Sequence, residues 1–231
     1  MDKNEFIQSL RDRGFKPSDK QIRQFEQYFT LLVKENELYN LTAITEEKAV
    51  YEKHFFDSLS LLFSHNYSNK TILDVGAGAG FPSIPLKIMD ESIKLSLIDS
   101  TTKKVHFIDL LCKELELSNV KTVVARAEEY TGEKFDVVTA RGVASLNVLL
   151  ELCCNLVKEN GVFIAMKGSS YQEELNNSRH AIEVLGYNLE SIEEYHLPTD
   201  NSLHCNLYFK KIKNHDIKYP RVFGQIKNKP L

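Results

Sequence analysis

Along the first 65 residues the apolar side chains recur at intervals of three and four. Phe6, Ile7 and Leu10 share one face, and Ile22, Phe25, Phe29 and Leu32 share a longer one, the spacing of amphipathic helices. Ser18 ahead of Asp19 supplies an N-cap for the second helix. Thr45 followed by Glu46 and Glu47 marks a further helix start, with acids where the helix dipole favours them. From residue 71 the period changes. Residues 71–75, 95–98, 122–125, 135–139 and 162–166 are short apolar runs, the pattern of strands covered on both faces. Helical spacing returns between and after them, at 82–89, 101–117, 145–157 and 171–185. Beyond Gly186 two more strand-like runs, 188–196 and 203–212, follow with no helix between them. The pattern predicts an α/β fold with a doubly wound, Rossmann-like sheet and right-handed crossovers, closed by an antiparallel strand. A helical cap over 1–66 precedes the α/β domain at 67–213, and 214–231 form a tail that is no independent domain.

Composition narrows the class. The chain of 231 residues is 42% hydrophobic and 26% charged, ordinary for a globular protein. No apolar run approaches the ~20 residues that cross a bilayer, and the charged start Met1-Asp2-Lys3-Asn4-Glu5 does not read as a signal peptide. The four cysteines form no C-x-x-C pair; Cys153 and Cys154 fall in a helical pattern, so buried thiols in a reducing cytoplasm are expected. No His, Asp and Glu cluster has metal-ligand spacing, and a monomer is expected because no apolar surface is left over. Net charge is −3, yet residues 210–231 hold seven cations against the single acid Asp216. A basic tail on an acidic body suggests a polyanionic partner.

The strand at 71–75 runs into Gly76, Gly78 and Gly80, where a strand-to-helix turn brings bare backbone close to a ligand. A dinucleotide fingerprint, G-x-G-x-x-G, would need glycine at 81, and that residue is Phe81. G-x-G-x-G is the usual first motif of methyltransferases that use S-adenosylmethionine. Asp99 ends the second strand run, where an acid accepts from both ribose hydroxyls or else caps the helix that starts past Ser100. Asp74 precedes the glycines, to brace the loop or orient the methionine ammonium. Ala127 and Glu128 follow the third run, at the edge where an adenine would lie. Arg141 follows the fourth run; its fork suits a phosphate, a carboxylate or guanine, or a structural ion pair. Lys167, ending the fifth, faces the same crevice. His54 and Asp57, at i and i+3 of a helical pattern, share a face and read better as docking the cap than as an acid–base pair.

The chain resembles the bacterial 16S ribosomal RNA guanine-N7 methyltransferases, also called the glucose-inhibited division protein B family, over nearly its whole length. The matching pieces are Asn40-Leu41-Thr42, residues 54–59 and 74–82, Asp99-Ser100 with Lys103-Lys104, Arg126-Ala127-Glu128, Thr139-Ala140-Arg141, and Tyr219-Pro220-Arg221 with Gly224 and Lys229-Pro230-Leu231. The resemblance implies a cofactor site at Gly76, Phe81, Ala127, Glu128 and Arg141, and transfer of a methyl group to guanine N7 in the decoding-centre loop of 16S rRNA, with either the RNA or the small ribosomal subunit as partner. Arg141 is then expected to orient cofactor and base, with Lys167, Lys218, Arg221, Lys227 and Lys229 on RNA phosphate. Ser83, Gly142 and Ile226 depart from the family pattern, and Ile226 removes a φ restraint from the tail. The rival readings are a methyltransferase for a protein or small molecule, and a cofactor-binding ribosomal sensor without turnover.

Overall fold

The computed structural model describes residues 1–231. Seven strands form one sheet in the order β3-β2-β1-β4-β5-β7-β6. They are β1 (Thr71–Val75), β2 (Lys94–Asp99), β3 (Val120–Val124), β4 (Phe135–Arg141), β5 (Val157–Gly168), β6 (Tyr187–His196) and β7 (Leu203–Lys211). The first five are parallel, and β7 runs antiparallel to both its neighbours, β5 and β6. The order reverses between β1 and β4, so their carboxyl ends frame the crevice where such sheets bind ligands.

Alternation along the strands sorts side chains into two cores. Ile72, Leu95, Leu97, Val137, Ile164 and Tyr208 enter one; Leu73, Val75, Ile98, Val138, Phe163 and Leu207 enter the other, as the pleat dictates. The first core is shared with α1 (Lys3–Asp12), α2 (Asp19–Tyr39) and a helical run made of α3 (Glu47–Val50), a π-helical turn (Tyr51–Phe56) and α4 (Asp57–Leu59). It also takes in α5 (Ser83–Met89) and α6 (Thr102–Glu114). The second core is closed by α7 (Leu146–Leu152), α8 (Tyr171–Asn177), α9 (Arg179–Val184) and α10 (Phe223–Asn228).

Two helix boundaries, and the order of the tail, differ from the sequence reading. The helix expected over 145–157 ends at Leu152; Cys153 caps it, Cys154 lies in the turn beyond, and Val157 already belongs to β5. The helix expected over 171–185 breaks at Ser178, whose hydroxyl donates to the Glu174 carbonyl at 2.7 Å, the back-bonding by which serine competes with helix. The tail is also more ordered than its charge implies. Tyr219 and Ile226 are buried in the second core, so Ile226 anchors the tail where the sequence suggested it would loosen it.

An aromatic cluster joins the cap to the sheet. Phe55, fully buried, has ring centroids of Phe25 and Tyr28 at 5.1 Å, Tyr51 at 5.2 Å and Phe81 at 6.0 Å. Edge-on and tilted pairs of this kind stabilise beyond the area they bury. Phe55→Ala is expected to cost about 3–5 kcal/mol, read from urea unfolding. A loss below ~1 kcal/mol would show that the cluster does not hold the cap.

Candidate functional site

The chain leaves β1 through Gly76 (φ +68°), Gly78 (+57°) and Gly80 (+94°), all in the left-handed region. A Cβ on Gly76 would lie 2.6 Å from Val143 Cγ2. A Cβ on Gly80 would meet Ile84 at 2.8 Å and the Tyr28 hydroxyl at 2.9 Å. The two glycines therefore serve different ends. Gly76 sits at a cavity wall, whereas Gly80 lets the loop close onto the cap, where Tyr28 donates to the Ala79 carbonyl at 2.6 Å.

Beside Gly76 lies a cavity of about 630 Å³, lined by Asp99, Ser100, Ala127, Glu128 and Val143, and by Phe223, Lys227 and Pro230 of the tail. Asp99 braces and faces the cavity at once. Its carboxylate accepts from the Gly78 amide at 3.1 Å and the Thr101 amide at 2.9 Å, and an ionised carboxylate has lone pairs left beyond two such bonds. The Glu128 carboxylate accepts from Arg126 Nε at 2.7 Å, and the Arg126 guanidinium lies 4.1 Å from the Phe223 ring. Sequence reasoning found Gly76, Asp99, Ser100, Ala127 and Glu128 through one local motif and three strand ends. It missed Val143 and the tail residues, which nothing local to them signals.

Other expected residues lie outside that wall. Asp74 is fully buried under the loop, accepting from the Ser83 hydroxyl at 2.5 Å, while its other oxygen has no partner. Burial pushes its pKa up to about 7. Ser83, a departure from the family pattern, thus supplies a bond that glycine cannot. Gly78 and Gly80 shape the loop rather than the cavity, and Phe81 stacks between Tyr28 (5.1 Å) and His54 (4.4 Å).

Arg141 does not line the first cavity. It lines a second cleft of about 980 Å³, whose wall includes Lys53, His54, Asp57, Lys167, Glu173 and His204, and which shares residues 142–145 with the first. The π-helical turn is wider than an α-turn, and it wraps this arginine. Nη1 donates to Asp57 at 2.6 Å and to the Lys53 carbonyl at 3.2 Å, Nη2 meets His54 Nδ1 at 3.3 Å, and the guanidinium lies 5.1 Å from the Phe81 ring. Asp57 also receives the Tyr195 hydroxyl at 2.9 Å and His204 Nδ1 at 2.6 Å. Burial acts to raise the Asp57 pKa, but the His204 bond and the Arg141 charge outweigh it and hold the group below the usual carboxylate range. The same bond to Asp57 raises His204. Burial, with Arg141 beside it, pushes His54 down to about 3, so this ring is neutral at physiological pH. His54 and Asp57 thus share a face as expected, but each is bonded to Arg141 rather than to the other.

Three expected phosphate contacts are already paired, two of them with the cation largely covered. Lys167 reaches Glu174 at 2.7 Å and the Ala144 carbonyl at 2.7 Å; Arg221 grips Glu151, itself fully buried, through Nε at 2.7 Å and Nη2 at 2.6 Å. Lys218 pairs with Asp216 at 3.3 Å on an open surface, and Lys227 and Lys229 are exposed.

The family model described as GidB, rRNA small subunit methyltransferase G, matches residues 21–203. The chain belongs to that family. A ribosomal RNA small subunit methyltransferase G from Geobacillus sp. (strain WCH70) is 46% identical over 237 residues, covering 100% of both chains. The namesake from Bacillus subtilis (strain 168) is 44% identical, covering 100% of this chain and 99% of its own. Among solved structures, a SAM-dependent methyltransferase from Aquifex aeolicus matches with TM-score 0.58 at 16% identity, over 75% of this chain and 97% of that one; this likeness carries the fold alone. The Rossmann-like class I methyltransferase sheet expected from the sequence is the observed one, and methyltransferase G membership fits a cofactor cavity at the end of β1.

The buried Asp74 gives a pH signature. Its folded pKa lies above the unfolded value, so between pH ~4 and ~7 the folded chain keeps a proton the unfolded chain has lost, and stability falls as pH rises. The stability difference between wild type and Asp74→Asn, measured by urea titration, is expected to move against wild type across that window and level off above it. A flat difference would mean that Asp74 ionises as it does in the unfolded chain.

Proposed function

We propose that this chain methylates N7 of one guanine in the decoding-centre loop of bacterial 16S rRNA, using S-adenosylmethionine. The observation that carries the reading is the pair of clefts sharing the wall at residues 142–145, one beside the glycine loop and one over Arg141. When bound, S-adenosylmethionine supplies an electrophilic methyl group on a sulfonium. The first cavity fits it: the small residues Gly76, Ser100 and Ala127 line it beside the glycine loop, and Asp99 presents a carboxylate to ribose hydroxyls. Ala127 and Glu128 would meet the adenine edge. Gly78, Gly80 and Phe81 hold the loop that shapes the site, with Asp74 beneath it.

The second cleft would take the guanine. Guanine N7 carries an in-plane lone pair and no proton, so the chain must position rather than deprotonate. The cleft suits that demand. His54 is neutral and bonded at both ring nitrogens, and Asp57 is engaged by three donors, so neither is poised as a base. Alignment of this kind is worth roughly 7–11 kcal/mol of barrier when both partners are held. Arg141, fixed from four sides, would orient the base beside the cofactor site. Lys218, Lys227 and Lys229 would meet RNA phosphate, with Lys167 and Arg221 contributing through the charge left after their ion pairs. A monomer acting in the cytoplasm on rRNA or the small subunit completes the reading, with the cap, the α/β domain and the tail as divided above. The absence of any helix long and apolar enough to cross a membrane is compatible with it.

The direct test is methyl transfer from labelled S-adenosylmethionine to small subunits lacking the modification, with nucleoside analysis. Label in 7-methylguanosine at one site is expected; cofactor binding without transfer would favour the sensor. Arg141→Ala is expected to lower kcat by at least ~100-fold, with the fold retained because Tyr195 and His204 still bond Asp57; near-normal turnover would remove Arg141 from the mechanism. Lys218→Glu with Lys229→Glu, both exposed and outside the two clefts, is expected to weaken RNA binding and flatten its salt dependence by about two units of slope at most. An unchanged slope would clear the tail of phosphate contact.

A further inference from the structure

The wall of the 630 Å³ cavity is not built by the α/β sheet alone. Phe223, Lys227 and Pro230 come from the C-terminal segment, which the sequence presents only as a run of cations. Three contacts fix that segment in place. At its start, Arg221 grips the buried Glu151 of α7 through two guanidinium nitrogens, and its backbone amide donates to the same carboxylate at 3.0 Å. In its middle, Ile226 is fully buried and seats α10 on the second core. At its end, Asn147 Nδ2 donates to the Leu231 carbonyl at 3.2 Å. What the segment turns toward the cavity is therefore pre-placed, and ordering it costs little on binding.

Phe223 is what it turns there. The residue remains 37% exposed although the segment around it is docked. The Arg126 guanidinium lies 4.1 Å from the ring, and Arg126 is held in turn by Glu128, another residue of the cavity wall. Val143, 39% exposed, lines the same cavity. A partly bare aromatic ring beside a planar guanidinium and an open valine makes a surface for a flat, apolar-faced group. In the ligand the cavity is read to hold, that group is adenine, and Ala127 and Glu128 stand at the same edge.

We propose that residues 221–231 are part of the cofactor site, with Phe223 bearing on the adenine ring and the Arg221–Glu151 ion pair positioning it. The proposal rests on the reading of the cavity as the S-adenosylmethionine site. It divides the tail by face. The side against the body, Lys227 included, serves the cofactor, and the outward Lys218 and Lys229 are left for RNA.

The test is direct binding of S-adenosylhomocysteine, which carries the same adenosine without chemistry. By calorimetry, Phe223→Ala is expected to weaken binding about ten-fold while Phe223→Tyr stays within about three-fold of wild type, with RNA affinity unchanged in both. The chain has no tryptophan, so Phe223→Trp is a single-site probe whose fluorescence is expected to change saturably as S-adenosylhomocysteine is added. Wild-type binding with unaltered affinity in Phe223→Ala, or an unresponsive Trp in a variant that binds, would overturn the proposal and leave the cofactor reading standing. Failure of the wild-type chain itself to bind would overturn both.

Discussion

The carboxylate of Asp57 is the point on which the site depends. It lies at the end of the π-helical turn and gathers Arg141 from the end of β4, Tyr195 from β6 and His204 from β7. A buried carboxylate with no partner would be costly, and removing the shared acceptor would strand its donors together. Here three donors from three strands share one acceptor, so the cap helices and this edge of the sheet cannot shift independently. The aromatic cluster around Phe55 supplies the bulk of the contact between them, and the ionic node supplies its register. Arg141 inherits a fixed position from both.

This arrangement explains why a cleft rich in titratable groups offers no obvious base. The groups packed around Arg141 are committed to holding one another or a neighbour: His54 to Arg141 and Thr42, Asp57 to three donors, Lys167 to Glu174. Such commitments trade reactivity for geometry. The trade suits a nucleophile that arrives with its lone pair already available, and it would suit proton abstraction poorly.

The centre of the sheet was legible because β1, β2 and β4 are buried over most of their length, so their apolar runs are short and dense and each ends near a glycine or a charge. The cavity beside Gly76 was legible for a related reason. Gly76, Asp99 and Glu128 each sit at a strand end, and topology alone brings strand ends together. What stayed hidden was pairing across the chain. Arg141 and Asp57 are 84 positions apart, and Arg221 and Glu151 are 70 apart. A local charge count therefore reads Arg221 as a cation awaiting phosphate, when a buried glutamate from α7 has already claimed it. The same blindness hid Phe223, an aromatic in a basic stretch whose neighbours give no period to follow. Ser178 split a helix that periodicity ran straight through, because a hydroxyl bonding back along the chain leaves the spacing of apolar positions untouched.

The antiparallel β7 sits between β5 and β6 although it follows both in sequence. During synthesis, β6 therefore emerges before the only strand it pairs with, and β5 waits as an open edge. Such an edge is a template for stray pairing until it is covered. His204, one of the three donors to Asp57, is carried by that late strand. The node that fixes the cap thus closes only after almost nine-tenths of the chain has been made, and a nascent protein holds neither its final sheet nor its aligned arginine before then.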